Sequence, residues 1–231
     1  NGGFVKSLKG PCNTTDASWP GAGPNSDTGH GTVCLNGEAG ANNYPLRGGK
    51  YSNFEGGIRV NAFVTGGFVP AAVRGTRLDG ALHVADWYST LAQGIAGLDA
   101  TDHWAAASGL PPIDSLNMWP MISGANLTSP RDDVGILVNR DMFVQGRWKY
   151  VRGGTRMIES ERGGPIYPNA STAEDPIDSH KYKCPREGCL FDVVADLAEE
   201  HEVSSEHPDV VARMQKELER QAKTIWETDH F

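Results

Sequence analysis

Of everything in this 231-residue chain, the run Arg47-Gly48-Gly49-Lys50-Tyr51-Ser52-Asn53-Phe54-Glu55-Gly56-Gly57-Ile58-Arg59 most restricts the fold. Glycine has no Cβ, so Gly56-Gly57 suits a backbone that takes positive φ or passes close to another segment. Glu55 and Arg59 flank the glycine pair with opposite charge, a spacing that lets them pair across the turn and stiffen it. Lys50 lies on the near side, where a rigid turn can aim its ammonium at an anion. Val60-Asn61-Ala62-Phe63-Val64 follows at once and reads as a strand.

Leu46-Arg47-Gly48-Gly49-Lys50 and Glu55-Gly56-Gly57-Ile58-Arg59, together with Asn1-Gly2-Gly3, resemble the sulfatase family, especially its arylsulfatase B-like members. In that family an Asp-Asn-Gly-Gly motif is followed by Leu-Arg-Gly-x-Lys and then Glu-Gly-Gly-x-Arg. Here Asn1 is present and the Asp before it is not, so the chain is expected to be a C-terminal piece cut within the active site. The resemblance implies an α/β fold of the alkaline-phosphatase-like type. It also implies that Lys50 contacts the substrate sulfate and that Asn1 gives its side-chain oxygen to one Ca²⁺ ion. Amide and carboxylate oxygens are the hard ligands this cation prefers. Glu55, Gly56, Gly57 and Arg59 would support the site.

Net charge of −8 argues against non-specific nucleic-acid binding, which needs a basic surface, but leaves room for a local basic pocket on an acidic protein. With 39% hydrophobic and 22% charged residues the chain is ordinary globular material with a real core. No apolar run approaches the roughly 20 residues that span a bilayer.

Four cysteines fall into two local pairs, Cys12 with Cys34 and Cys184 with Cys189. That suggests two disulfides and an oxidising compartment. Half of a zinc site at Cys184-Pro185-Arg186-Glu187-Gly188-Cys189 and free buried thiols are the alternatives. Three N-glycosylation sequons begin at Asn13, Asn126 and Asn169, about the number chance gives in an Asn-rich chain. With the cysteine pairing they favour a secreted or lysosomal route.

Residues 4–44 are rich in Gly, Pro, Asn, Asp, Ser and Thr and read as a long loop stapled by Cys12 and Cys34. Such a loop is either an insertion beside the active site or a surface loop without a catalytic role. Leu82 to Gly97 reads as a helix with Asp86 at its start, similar to the family's His-x-x-Asp-Trp-x-x-Thr-Leu segment, and His83 as a structural residue before it. Gly135–Asn139, Met142–Val144 and Gly146–Val151 read as an antiparallel meander. Residues 153–181 form an exposed excursion. Leu190-Phe191-Asp192-Val193-Val194-Ala195-Asp196 gives a last strand and matches the family's Leu-Phe-Asp-x-x-x-Asp-Pro-x-Glu signature, with Leu197 in place of Pro. Pro208 opens a final helix with an apolar stripe at Val210, Val211, Met214, Leu218, Ala222 and Ile225. Residues 1–125 are expected to finish the catalytic α/β domain, and 126–231 to form a small subdomain of antiparallel strands and one helix.

Sulfate-ester cleavage spreads negative charge over the non-bridging oxygens and onto the leaving oxygen, so fixed cations lower its barrier. By itself a Lys in a glycine-rich loop reads as a solvated charge; the order and spacing of the motifs give Lys50 a role. The glycines also allow a phosphate cradle, but no Gly-Lys-Ser/Thr follows. The family's nucleophile is a formylglycine made from Cys or Ser in Cys/Ser-x-Pro/Ala-x-Arg. None of the four cysteines has that context, so the nucleophile is expected upstream and these residues alone are expected to be inactive. The substrate class is a sulfate ester, aryl or glycan; oligomeric state is not readable. Rival readings are a phosphodiesterase or phosphonate hydrolase of the same superfamily, and a non-catalytic sulfated-glycan binding module.

Overall fold

The computed structural model describes residues 43–49, 52–157 and 182–225. Asn1, Cys12, Asn13, Cys34, Lys50 and Asn169 lie outside them, as do the 4–42 part of the loop and the 158–181 part of the excursion. In chain order the helices are α1 (Glu55–Ile58), α2 (Asp86–Ser89, continued by a π-helical turn over Thr90–Ile95), α3 (His103–Ala107), α4 (Trp119–Ile122), α5 (Arg131–Val134) and α6 (Pro208–Ala222). The strands are β1 (Ile136–Asn139), β2 (Met142–Gln145), β3 (Trp148–Val151), β4 (Arg156–Met157), β5 (Tyr182–Lys183) and β6 (Cys189–Asp192).

The chain divides into two compact units. In the larger, which takes in 61–155, 184–195 and 201–231, β1, β2, β3 and β6 form an antiparallel sheet in that order. The meander expected from the sequence is β1–β2–β3. Phe143, Tyr150 and Leu190 stand opposite one another across three strands. They make one buried cluster with Val211, Met214 and Leu218 of α6. The stripe on α6 is therefore core, at the i, i+3, i+4 spacing that aims a helix face at a sheet. Period-two alternation sends Met142, Val151, Cys189 and Phe191 to the other face, where they are also buried. Cys184 and Cys189 form a disulfide with Cα atoms 5.3 Å apart, which removes both as zinc thiolates.

α2 begins at Asp86, whose carboxylate is fully buried and accepts from the His83 N–H at 2.7 Å and the Leu116 N–H at 2.9 Å. Arg131 supplies its guanidinium to the same carboxylate, with Nε 3.0 Å from Oδ2, and donates onward to the carbonyls of Gly135 and Asp114. The Ser89 N–H donates to Ser115 Oγ and the Met118 N–H to Thr90 Oγ1, so the 115–118 stretch is stitched along the helix. Met118, Met121 and Ile122 pack with Leu82, Trp87, Leu116 and Trp119. His83 is structural here: its Nδ1 accepts from the Ala85 N–H at 3.3 Å.

The strand expected over 60–64 does not form. Residues 59–68 have no regular structure beyond a bend and turn at 66–68 and are exposed, Phe63 by 89%. A strand is stabilised by its ladder and by cross-strand side chains, and no described residue supplies either. Residues 61–125 group with the sheet and α6, whereas 43–60 belong to the smaller unit. Among the described residues no helix is long and apolar enough to cross a membrane.

Candidate active-site turn

The smaller unit includes residues 43–60, 156–157, 182–183 and 196–200 among those described. Hydrogen bonds tie together its residues 47–49 and 52–59. The Gly56 N–H donates to the Arg47 carbonyl at 2.7 Å, closing the turn at its base. Gly49 and Ser52, the described residues on either side of Lys50-Tyr51, are joined by a 2.8 Å bond from the Ser52 N–H to the Gly49 carbonyl. Ser52 Oγ accepts the Phe54 N–H, and the Gly57 N–H donates to the Phe54 carbonyl. Asn43 Nδ2 donates to the Gly48 carbonyl, tying in the approach to the turn.

The glycines are there for close approach. A Cβ on Gly56 would stand 2.1 Å from the Gly48 carbonyl oxygen, and one on Gly57 would stand 2.2 Å from the Ser52 carbonyl oxygen. Neither takes positive φ; that role falls to Gly48, at +76°. Of the two reasons the sequence offered for the pair, close approach is the one this backbone uses.

Glu55 and Arg59 do not pair as the sequence suggested. Glu55 is buried, Arg59 is exposed, and their contact is the Arg59 N–H donating to the Glu55 carbonyl at 2.8 Å. Arg59 is the extended residue that ends the one-turn helix, at φ −82° and ψ 134°, so it leaves the i, i+4 stacking that would bring its side chain to Glu55. Arg47 lies with its guanidinium carbon 4.1 Å from the centroid of the buried Phe54 ring, a cation–π contact.

Glu199, which the sequence reading did not single out, reaches this turn. Its carboxylate accepts the Glu55 N–H at 2.5 Å, and its carbonyl accepts from Arg47 Nη1 at 2.8 Å. The available signal was its position: it is the Glu that ends the Leu-Phe-Asp signature begun at Leu190.

A separate surface hollow of about 530 Å³ in the larger unit is lined by Tyr88, Thr101, Asp102, His103, Trp104 and Ile113. Asp99 beside it has its carboxyl held below the ordinary range, chiefly by hydrogen bonds from Thr101 and also by His103. Among the described residues no cluster of three or more His, Cys, Asp or Glu is placed to hold a metal ion. Asn126, the one sequon asparagine described, is exposed and accepts from the Thr128 N–H and hydroxyl.

No family model matches the chain. Mouse arylsulfatase J is 30% identical over 204 residues, which cover 80% of this chain and 33% of that protein. The chain thus spans about a third of the length of this curated relative. A solved sulfatase structure, titled for glycosaminoglycan metabolism in Bacteroides thetaiotaomicron, is 23% identical with a TM-score of 0.31. It covers 52% of this chain and 23% of that one. The sequence likeness to this arylsulfatase extends over most of the chain.

Proposed function

We propose that this chain is the C-terminal part of a type I, arylsulfatase B-like sulfatase with an alkaline-phosphatase-like α/β fold, a hydrolase of aryl or glycan sulfate esters. One observation carries the reading. The Arg47–Arg59 turn holds its motif glycines in carbonyl contacts that no other residue fits, within a chain 30% identical to an arylsulfatase over 204 residues. The turn is closed at Arg47–Gly56 and again at Gly49–Ser52, which fixes the described backbone before and after Lys50-Tyr51. Lys50 falls between those bonds in sequence, and its ammonium is the compact point charge that suits a sulfate oxygen.

In the reaction a nucleophile attacks sulfur, the bond from sulfur to the ester oxygen breaks, and charge develops on the departing oxygen. The role of Lys50 is to hold positive charge against the sulfate and that oxygen, in place before the reaction begins. The formylglycine nucleophile and most calcium ligands would belong to residues other than these, with Asn1 contributing one ligand oxygen. A secreted or lysosomal location is supported by the Cys184–Cys189 disulfide, which persists in oxidising compartments, and by the exposed Asn126 sequon.

The test is to assay the natural polypeptide containing this chain on a chromogenic aryl sulfate and on an aryl phosphodiester. We expect sulfate preference, a fall of about 10²- to 10³-fold in kcat/KM for Lys50→Ala, and no turnover by the 231-residue chain alone. Phosphodiester preference would transfer the protein to the related phosphodiesterases. Sulfate binding without turnover in the longer polypeptide would make it a glycan-binding module.

A further inference from the structure

We propose that Glu199 is a positioning residue for the sulfate-binding lysine, a clamp on the turn that carries it; this rests on the sulfatase reading of Lys50. Glu199 is fully buried and holds φ at +52°, a left-handed conformation uncommon for a residue with a side chain. Backbone of that kind costs free energy and persists where surrounding contacts require it. Here the contacts are specific. The Glu199 carboxylate takes the Glu55 N–H at 2.5 Å, and its carbonyl takes Arg47 Nη1 at 2.8 Å. One residue thereby grips both sides of the stretch that contains Lys50, Arg47 before it and Glu55 after it.

The grip is itself anchored. The Glu199 N–H donates to the Asp196 carbonyl at 3.1 Å, so the clamp sits in a closed turn. On the other side Arg47 is stacked on Phe54, and Gly56 is bonded to the Arg47 carbonyl. A buried carboxylate is costly unless donors meet it, and a hydrogen bond to a carboxylate is stronger than one between neutral groups. Filling space needs no acid at this position. An acid or amide oxygen at the reach of a glutamyl side chain is what the Glu55 N–H requires.

The experiment uses the natural polypeptide with Glu199→Ala, Glu199→Gln and Glu199→Asp, read by amide hydrogen exchange and by aryl sulfate kinetics. Glu199→Ala is expected to speed exchange of the Glu55 amide about tenfold, the loss of one hydrogen bond. It is also expected to lower kcat/KM by about 10- to 100-fold, as a displaced catalytic group does. Glu199→Gln keeps an acceptor at the same reach and is expected to restore most of both. Glu199→Asp keeps the acid but falls short, and is expected to behave like Ala; it also reads the clamp if the Ala variant does not fold. Unchanged exchange at Glu55 in Glu199→Ala, or a Gln variant as impaired as Ala, overturns the clamp. So does an activity loss matched by equally faster exchange throughout β1, β2 and β3, which marks general destabilisation. If Glu199→Ala frees the amide while Lys50→Ala leaves turnover intact, the sulfatase role of Lys50 fails and the clamp is structural only.

Discussion

Gly56 has no room for a methyl group. Its missing Cβ would lie within 2.5 Å of two carbonyl oxygens, those of Gly48 and Arg47, and backbone atoms cannot step aside as a flexible side chain can. Gly56→Ala is therefore expected to cost about 2–3 kcal/mol or to force the turn open. Urea titration reads the first outcome, and trypsin cleavage after Lys50 reads the second. A variant with unchanged stability and unchanged cleavage would show that the turn is looser than its contacts imply. Asp86 makes the complementary case for a polar residue. Removing it leaves the Arg131 guanidinium, 7% exposed, without its carboxylate, and two backbone N–H groups without an acceptor. Asp86→Ala is expected to cost about 3–5 kcal/mol, the usual penalty for stranding a buried charge. Asp86→Ala with Arg131→Met is expected to recover part of it in the same titration. At this scale the sequence was a partial guide: it marked Gly56-Gly57 as tight. It also suggested a Glu55–Arg59 pair that a one-turn helix does not make. Glu199 escaped because its partner is a backbone N–H far away in the chain, and local spacing carries no record of such a contact.

Elements read well from the sequence wherever their partners lie nearby in the chain. The β1–β2–β3 meander follows from alternation broken by Asn139-Arg140-Asp141 and Gln145-Gly146, and α6 follows from Pro208 and a 3.6-residue stripe. The segment after Arg59 has strand-like composition and no strand, because a ladder needs a neighbour and spacing alone does not provide one. Within the sheet, Trp148 pairs with Asp192 across β3 and β6, and Asp192 also meets Arg147 at the head of β3. Burial by itself would raise the Asp192 carboxyl. The Arg147 hydrogen bond and the Ala195 and Val194 N–H groups outweigh that and hold it below the ordinary range. A depressed folded-state value means that the group contributes stability above its unfolded pKa of about 3.9 and loses it as pH falls through the folded value. Melting temperature is expected to be insensitive to this pair above about pH 5 and to decline below about pH 4. Arg147 is half exposed, so solvent screening keeps the effect small. Asp192→Asn is expected to flatten that acid limb; an unaltered limb would assign the acid sensitivity to other carboxylates.

At the scale of the whole molecule, the chain is about a third of the length of mouse arylsulfatase J, and its exposed apolar residues are unevenly placed. Val60, Phe63, Val64 and Phe68 occur within nine residues, exposed by 58, 89, 40 and 71%. Scattered exposed apolar side chains are normal on a protein surface, but a run of this composition outside any strand or helix presents unpaired backbone as well over 60–64. If the chain belongs to a longer sulfatase, as proposed above, that polypeptide is expected to supply strands that pair with this segment. The 231-residue chain alone is then expected to leave the amides of residues 60–64 exchanging close to unstructured-peptide rates. The longer natural polypeptide should slow them by about 100-fold or more, the protection of a paired strand. The isolated chain should also enhance the fluorescence of a hydrophobic dye, and Phe63→Ser with Phe68→Ser should lower that signal while leaving exchange within β1–β3 unchanged. Protection of residues 60–64 in the isolated chain would mean that it pairs them with itself or with a second copy. Sedimentation at rising concentration separates those two cases, since only pairing between copies shifts with mass action.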